Sequence, residues 1–384
     1  MKPIRSVIVF VALLWCLSGG CESVQQRIRR QELGRIDCAV EEEIEKDNIP
    51  GAVVLVGQRD KILYWTAFGY QVTEPYRVVM NKDTVFDMAS LTKPIATATS
   101  IMVLADQKKI ELCDYAGKYL PAFSCQGKEE VRISHLLTHS SGLPAYTNAS
   151  ELEEQFGTPC GDEVMEKICS LKALSEPGRE FRYSCLGYIT LGKIVEAVSG
   201  NNVADFAKEN IFEPLRMKHT SYGPAESWKR NIAGTQIVEG RLLRGTVHDP
   251  LAKLMGGISG NAGLFSTAYD LSIYCRMLLN DGTWNGEKIL SAEAISMLTT
   301  AQSHGRSYGF DLHSSYSWVK GSYSSEKAFC HTGYTGTSMV CDPVNGVYVI
   351  ILTNRAHPDD KGTSKAIRTK VADIVFQAYK QCGL

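Results

Sequence analysis

Apolar residues recur at helical spacing between residues 22 and 48, at Ile28, Leu33, Ile36, Val40 and Ile44 within a charge-rich stretch. The spacing predicts an amphipathic helix that Gly51 stops. Two β-rich runs follow, Ala52 to Gly57 and Ile62 to Tyr70, joined by the polar turn Gln58–Lys61; this is the pattern of a hairpin. Thr92 to Gln107, rich in Ile, Met, Leu and Ala, predicts a helix with Pro94 in its first turn, where a missing N–H costs little. From about residue 110 to about 300 the pattern is mainly helical, broken by Gly/Pro loops at 142–144, 177–178 and 256–263. Strand-like runs return at Tyr308–Leu312, Ala328–His331, Thr337–Cys341 and Val347–Asn354, the last two separated by the turn signal Asp342-Pro343-Val344-Asn345-Gly346. Residues 364–380 read as a closing amphipathic helix. Strands toward both ends with helices between them predict an α+β fold: one antiparallel sheet built from both chain ends, flanked by helices, with the mainly helical region 110–300 inserted.

The N-terminus has a different character. Lys2 and Arg5 precede an apolar run from Val7 to Leu17, which is too short to span a bilayer comfortably and suits a signal-peptide core. Ser18, Gly19, Gly20 and Cys21 follow. The Gly-Gly-Cys ending resembles a bacterial lipoprotein cleavage site, although that pattern places Leu three residues before the Cys, where this chain has Ser18. The expectation is a signal peptide over 1–20 and a folded domain over 22–384. The protein would be exported, either periplasmic or membrane-anchored through lipid on Cys21. No later stretch reaches 18 apolar residues.

Composition narrows the class. With 41 Lys+Arg against 42 Asp+Glu the formal net charge is −1, and 44% of the 384 residues are hydrophobic. Such a chain is an ordinary globular protein, and it lacks the basic balance of a nucleic-acid binder. The 12 cysteines stand out. Export would place them where disulfides can form, but no C-x-x-C or H-E-x-x-H occurs, so no metal or cofactor is expected. Most cysteines are read as small apolar residues.

The chemistry begins at Ser90-Leu91-Thr92-Lys93. Side chains three apart share one face of a helix, and a serine hydroxyl becomes a nucleophile only beside a base. Lysine can serve when burial or nearby cations lower its pKa from about 10.4. A second S-x-x-K, Ser324 to Lys327, lies in a polar turn and reads as coincidence. Ser90 differs in leading into an apolar helix, whose N-terminus can offer backbone N–H groups to developing negative charge.

Ser90-x-x-Lys93 resembles the active-site tetrad of the penicillin-recognising serine hydrolases, which include class C β-lactamases, D-Ala-D-Ala carboxypeptidases and related esterases and aminopeptidases. Further stretches resemble that family in the same order. Ile133 to Pro144 (ISHLLTHSSGLP) is similar to a signature of its helical region. Pro177-Gly178 followed by Tyr183-Ser184-Cys185 is similar to its second motif, usually Tyr-Ser-Asn. His331-Thr332-Gly333 resembles its Lys/His-Thr-Gly strand, and the likeness continues through Tyr334, Asp342-Pro343 and Asn354-Arg355. Thr246 to Asp249 and Gly260 to Thr267 resemble a subgroup.

The resemblance implies roles. Ser90 matches the acylated nucleophile, and Lys93 the base or the cation that holds Ser90. Tyr183 matches the tyrosine that passes the proton to the leaving group and then activates water; its phenol would need nearby cations, supplied by Lys93 and by His331. The backbone N–H groups of Ser90 and Tyr334 match the oxyanion hole, and His331, Gly333 and Cys185 match substrate-binding positions. A literal Y-x-N at Tyr146-Thr147-Asn148 competes with Tyr183, but it lacks the Pro-Gly before it. His248 and Asp249 could imitate part of a Ser/His/Asp triad and are read as structuring a loop; Arg355 meets either a substrate carboxylate or an acid; His139 is read as a satisfied core or loop histidine. Two departures stand out. Cys185 replaces an amide that would hold the substrate's acyl amide, and a thiol bonds weakly. His331 replaces a lysine and is mostly neutral at pH 7.

Both departures lean away from β-lactam hydrolysis. The function expected is an exported serine hydrolase cleaving an amide or ester through a Ser90 acyl-enzyme, with a small peptide, amide or ester substrate, peptidoglycan-derived peptides among the candidates. A true β-lactamase, or a non-catalytic ligand-binding or sensor protein on the same fold, are the alternatives.

Overall fold

In the computed structural model, which describes residues 31–381, the hairpin forms as strands β1 (Gly51–Gln58) and β2 (Lys61–Val72), with a bulge between Val56 and Gly57. Residues 1–30, with the signal segment and Cys21, and Cys382 lie outside the described residues. The chain's far end then completes the sheet. After the short β3 (Val78–Val79) come β4 (Phe329–Thr332), β5 (Ser338–Asp342) and β6 (Val347–Thr353), and the order is β4-β5-β6-β1-β2-β3, antiparallel throughout. β1 pairs with β6 from Ala52↔Thr353 to Gln58↔Val347, so the two ends of the sequence meet at the sheet's centre.

β1 is buried on both faces, which is why it reads as a continuous apolar run. Its period-2 alternation sends Ala52, Val54 and Val56 toward α1 (Arg35–Glu45) and α5 (Lys365–Gln381), where they join Val40, Val371 and Val375. Val53 and Leu55 face the main core, with residues of α2 (Thr99–Asp106), α3 (Cys185–Ser199) and α4 (Ala268–Leu279).

The sequence expectations need four corrections. The first helix ends at Glu45, and the chain turns through Asp47 at φ 55°; Gly51 instead opens β1, where a Cβ would fall 2.6 Å from the Phe68 carbonyl oxygen. The segment from residue 89 is not one α-helix. It is a 3-10 turn (Ala89–Leu91), a π-helical stretch (Lys93–Ala98) and then α2. Tyr308–Leu312 is not a strand: only single bridges form there, Asp311 to Arg306 and Asp311 to Cys330. The Ser307 hydroxyl accepts from the Phe310 N–H at 3.0 Å and itself contacts the Leu298 carbonyl, local bonds that displace a ladder. The inserted region also contributes Leu264–Ser266 and Ser221–Tyr222 to a small sheet that Phe86–Asp87, ahead of the insertion, completes; these strands are too short to show a period.

Candidate active site

Ser90 sits where the small sheet meets β4. Asp87 holds the turn before it, its carboxylate accepting the Ala89 N–H at 2.8 Å and the His248 N–H at 2.7 Å. Ala89 takes φ 45°, a conformation L-residues avoid unless the surroundings impose it. Burial raises the Asp87 carboxyl from 3.8 to about 6 against the pull of those two N–H groups. The third-motif strand is stitched to the same turn: the Thr335 hydroxyl donates to the Asp87 carbonyl at 2.7 Å and the Thr337 hydroxyl to the Met88 carbonyl at 3.0 Å. Gly333 permits the approach, because a Cβ there would stand 2.1 Å from Thr337 Oγ1 and 2.4 Å from the Met88 oxygen.

Lys93 is fully buried and its Nζ has three neighbours. It donates to Ser90 Oγ at 2.9 Å and to the Asn261 carbonyl at 2.9 Å, and it contacts Cys185 Sγ at 3.5 Å. Burial pulls its pKa down, but the acidic groups of Cys185, Tyr183 and Asp249 outweigh that and hold it above the ordinary lysine value. Lys93 is therefore an ammonium at rest. The wide π-helical turn carries this side chain, and such turns recur at functional sites.

Tyr183 closes the triad. Its hydroxyl faces Ser90 and Lys93, and its ring lies 5.1 Å from Lys93 Nζ. Burial raises the phenol's pKa, with Cys185 adding to it; Lys93, Ser90 and Arg306 pull it back only in part, so it stays above its ordinary value. The ring is clamped between His139, with centroids 4.2 Å apart, and Tyr316, at 5.2 Å. Cys185 follows as the first residue of α3, which Ser184 caps by accepting from the Gly187 N–H.

The rival tyrosine is elsewhere engaged. The Tyr146 hydroxyl donates to Asp249 at 3.2 Å and accepts the Leu251 N–H at 3.1 Å. Asp249 caps the helix Pro250–Leu254 and accepts from the Asn261 side chain, so His248 and Asp249 structure a loop. His248 Nε2 pairs with Gln236 at 2.9 Å. Arg355 pairs with Asp360 at 2.7 Å, and its Nε donates to the Tyr334 carbonyl. Ser325 of the second S-x-x-K is bonded to Asp342.

One role expected of His331 fails. Its Nδ1–H donates to the Thr332 carbonyl at 2.9 Å, and burial together with the charges of Arg306 and Lys93 drives its pKa well below 6.5. His331 is neutral and supplies no positive charge to Tyr183. His139 is held neutral by burial and by Arg306, and it is more than a satisfied loop histidine: its Nδ1 accepts the Ser184 N–H at 3.0 Å while its ring supports Tyr183. Tyr316, Arg306 and the backbone of Asn261 were not anticipated as parts of the site. Asn261 lies in the Gly260–Thr267 stretch, but a backbone carbonyl leaves no side-chain signal there; nothing around Tyr316 and Arg306 has motif spacing, and the Arg-x-x-x-x-Asp pair at 306 and 311 gains meaning only when the chain folds it behind β4. All nine described cysteines from Cys38 to Cys341 are free thiols.

A cavity of about 390 Å³ opens at Ser90, lined by Tyr183, His331, Gly333 and Tyr334 and also by Tyr316, Lys365 and Arg368.

A family model described as Beta-lactamase matches residues 36–373. The "N-acetylmuramyl-L-alanine amidase" of Bacillus subtilis (strain 168) is 30% identical over 361 residues, 85% of this chain and 82% of the relative. A protein of Escherichia coli (strain K12) named "Putative D-alanyl-D-alanine carboxypeptidase" is 30% identical over 362 residues, 85% of this chain and 83% of the relative. Among solved structures, EstCE1, "a hydrolase with promiscuous acyltransferase activity", superimposes with a TM-score of 0.74 at 22% identity, over 90% of this chain and 99% of its own; at that identity the likeness speaks for the fold.

Proposed function

The chain belongs to the Beta-lactamase family and is a serine hydrolase, and from that premise we propose that it cleaves an amide or ester through an acyl-enzyme on Ser90. The observation that carries this reading is the buried Lys93 Nζ, 2.9 Å from Ser90 Oγ, with the Tyr183 ring 5.1 Å from the same nitrogen. In acylation Ser90 Oγ attacks the carbonyl carbon. The reactive form is the one in which Tyr183 has given up its proton and the Lys93 ammonium stabilises the phenolate; the Ser90 proton passes to that phenolate and goes on to the leaving nitrogen or oxygen as the C–N or C–O bond breaks. In deacylation water gives a proton to the Tyr183 phenolate as its oxygen bonds to the acyl carbon; the bond from that carbon to Ser90 Oγ then breaks, and Tyr183 returns the proton to Oγ. The N–H groups of Ser90 and Tyr334 serve as the oxyanion hole, a device whose single donors are typically worth about 10²–10³ in rate. The stitching of Thr335 and Thr337 to residues 87 and 88 supports that pairing.

The substrate is a peptidoglycan-type peptide amide, and two observations favour it. The amidase of B. subtilis is named for an N-acetylmuramyl-L-alanine bond, and the lining of the cavity includes Lys365 and Arg368, cations suited to a peptide carboxylate. The protein acts outside the cytoplasm; the Lys2/Arg5 and Val7–Leu17 pattern supports export, and Cys21 is the proposed point of lipid attachment.

Intact-mass measurement after fluorophosphonate treatment tests the mechanism: one adduct, on Ser90, absent in Ser90→Ala. A panel of muramyl-L-alanine and D-Ala-D-Ala peptides, p-nitrophenyl esters and nitrocefin tests the substrate. Peptide or ester turnover above nitrocefin turnover is expected, and turnover of nitrocefin alone would make the chain a β-lactamase.

A further inference from the structure

We propose that Arg306 is a positioning residue of this reaction, a buried cation that acts through Tyr183 in the place His331 leaves vacant. The inference rests on the Ser90 acyl-enzyme reading.

Arg306 is fully buried. Its guanidinium pairs with Asp311 through Nη1, while Nε and Nη2 have no partner. The Asp311 oxygen that receives it is shared with the Ser314 hydroxyl. One shared carboxylate oxygen offsets the charge only partly, and burying an arginine in this way is costly. Packing alone would favour an apolar side chain, so the charge itself requires an explanation.

Its location supplies one. The guanidinium carbon is 5.7 Å from the Phe181 ring. Phe181 meets both supports of Tyr183 edge-on, His139 at 6.3 Å and Tyr316 at 6.0 Å. Asp311 fixes Arg306 to the third-motif strand, because Asp311 and Cys330 exchange both backbone hydrogen bonds at 2.9 Å, one residue before His331. The arginine thus stands behind the phenol, held by the strand that carries the neutral histidine.

The groups that face Tyr183 come from five segments. They are Lys93 from the nucleophile's helix, Cys185 and Tyr188 from α3, His139 from the loop after residue 138, His331 from β4, and Arg306, Asp311 and Tyr316 from the 306–316 loop. Both histidines are held neutral, so Lys93 and Arg306 are the only cations in this set. Lys93 is committed to Ser90 and Asn261. Arg306 adds positive potential to the phenol and does not contact the substrate.

The test is kcat/KM for a p-nitrophenyl ester from pH 5 to 10, on the full chain, for wild type, Arg306→Lys, Arg306→Met and Arg306→Met with Asp311→Leu. The double variant replaces both partners by apolar groups, which buried pairs generally tolerate, so a folded protein without the cation is available to read. Without the cation, the limb on which activity rises with pH should move up by about one unit, with roughly tenfold lower kcat/KM below it. Arg306→Lys should keep the wild-type limb. Equal loss at every pH with an unmoved limb overturns the proposal, as does a lysine variant displaced as far as the methionine one. A wild-type chain that gains no fluorophosphonate mass on Ser90 overturns the acyl-enzyme reading, and this inference with it.

Discussion

The Thr337 hydroxyl donates to the Met88 carbonyl at 3.0 Å, and this bond couples the strand edge at Tyr334 to the turn that presents Ser90. The two donors expected to form the oxyanion hole come from segments more than two hundred residues apart in sequence, so their spacing depends on this contact and on Thr335 to Asp87. Gly333 sits inside the junction, where a Cβ would fall 2.1 Å from Thr337 Oγ1 and 2.4 Å from a backbone oxygen that cannot rotate away.

Gly333→Ala must therefore push the strand off the nucleophile's turn. A shift on the order of 1 Å in a catalytic constellation can cost about 10²-fold in rate. Ester hydrolysis and the rate of fluorophosphonate labelling should both fall by about that factor. A variant within threefold of wild type in both assays would show that the approach is not needed.

The two tyrosines give a paired prediction. The Tyr183 ring lies 5.1 Å from Lys93 Nζ and its hydroxyl faces Ser90, whereas the Tyr146 hydroxyl is spent on Asp249 and Leu251. Tyr183→Phe should lower kcat by roughly 10²–10⁴-fold, the usual weight of general acid–base catalysis. Tyr146→Phe should cost stability of about 1 kcal/mol, the typical net worth of a hydrogen bond, and leave kcat nearly unchanged. Reversed outcomes, read by steady-state kinetics and urea unfolding, would transfer the proton role to Tyr146.

Much of this arrangement is legible in the chain itself. Ser90, Lys93 and Tyr183 lie in short motifs whose flanks fix their local structure: the apolar helix after Lys93, and Pro-Gly before Tyr183. β1, β2 and β6 announce themselves through long apolar or alternating runs. What the sequence hides is contact made by folding. Arg306 and Tyr316 carry no spacing signal, the π-helical turn under Lys93 is indistinguishable by composition from an α-helix, and the neutrality of His331 follows from burial beside two cations. The false strand at Tyr308–Leu312 has the same origin, since side-chain bonds from Ser307 satisfy a backbone whose apolar residues look ladder-bound.

Cys185 governs a prediction about specificity. Its sulfur lies 3.5 Å from Lys93 Nζ, at the position where the resemblance to the Tyr-Ser-Asn motif implies an amide. A thiol is a weak donor and acceptor, whereas an asparagine offers two donors and a carbonyl oxygen. Cys185→Asn should raise kcat/KM for amide substrates relative to esters by about tenfold, the worth of one good hydrogen bond of about 1.4 kcal/mol. The ratio of peptide to p-nitrophenyl ester turnover reads the effect directly. An unchanged ratio would remove Cys185 from the determinants of specificity.

Asp87 makes the stability of the fold depend on pH in a direction opposite to most carboxylates. Burial raises its folded pKa from 3.8 to about 6, even though it accepts the Ala89 and His248 N–H groups. The folded state thus binds this proton more tightly than the unfolded chain does. The associated stabilisation is complete below 3.8 and is lost as pH rises through about 6, a change of about 3 kcal/mol. Asp87→Asn stays neutral at every pH and lacks that change. Its amide also sets an NH₂ against one of the two backbone donors, an offset that does not vary with pH. The difference in unfolding free energy between wild type and Asp87→Asn should accordingly move against wild type by about 3 kcal/mol between pH 3.5 and pH 7, since every other titrating group is common to both. Urea unfolding at half-unit pH steps measures it, and parallel curves would mean that Asp87 ionises in the folded protein as it does in the unfolded chain.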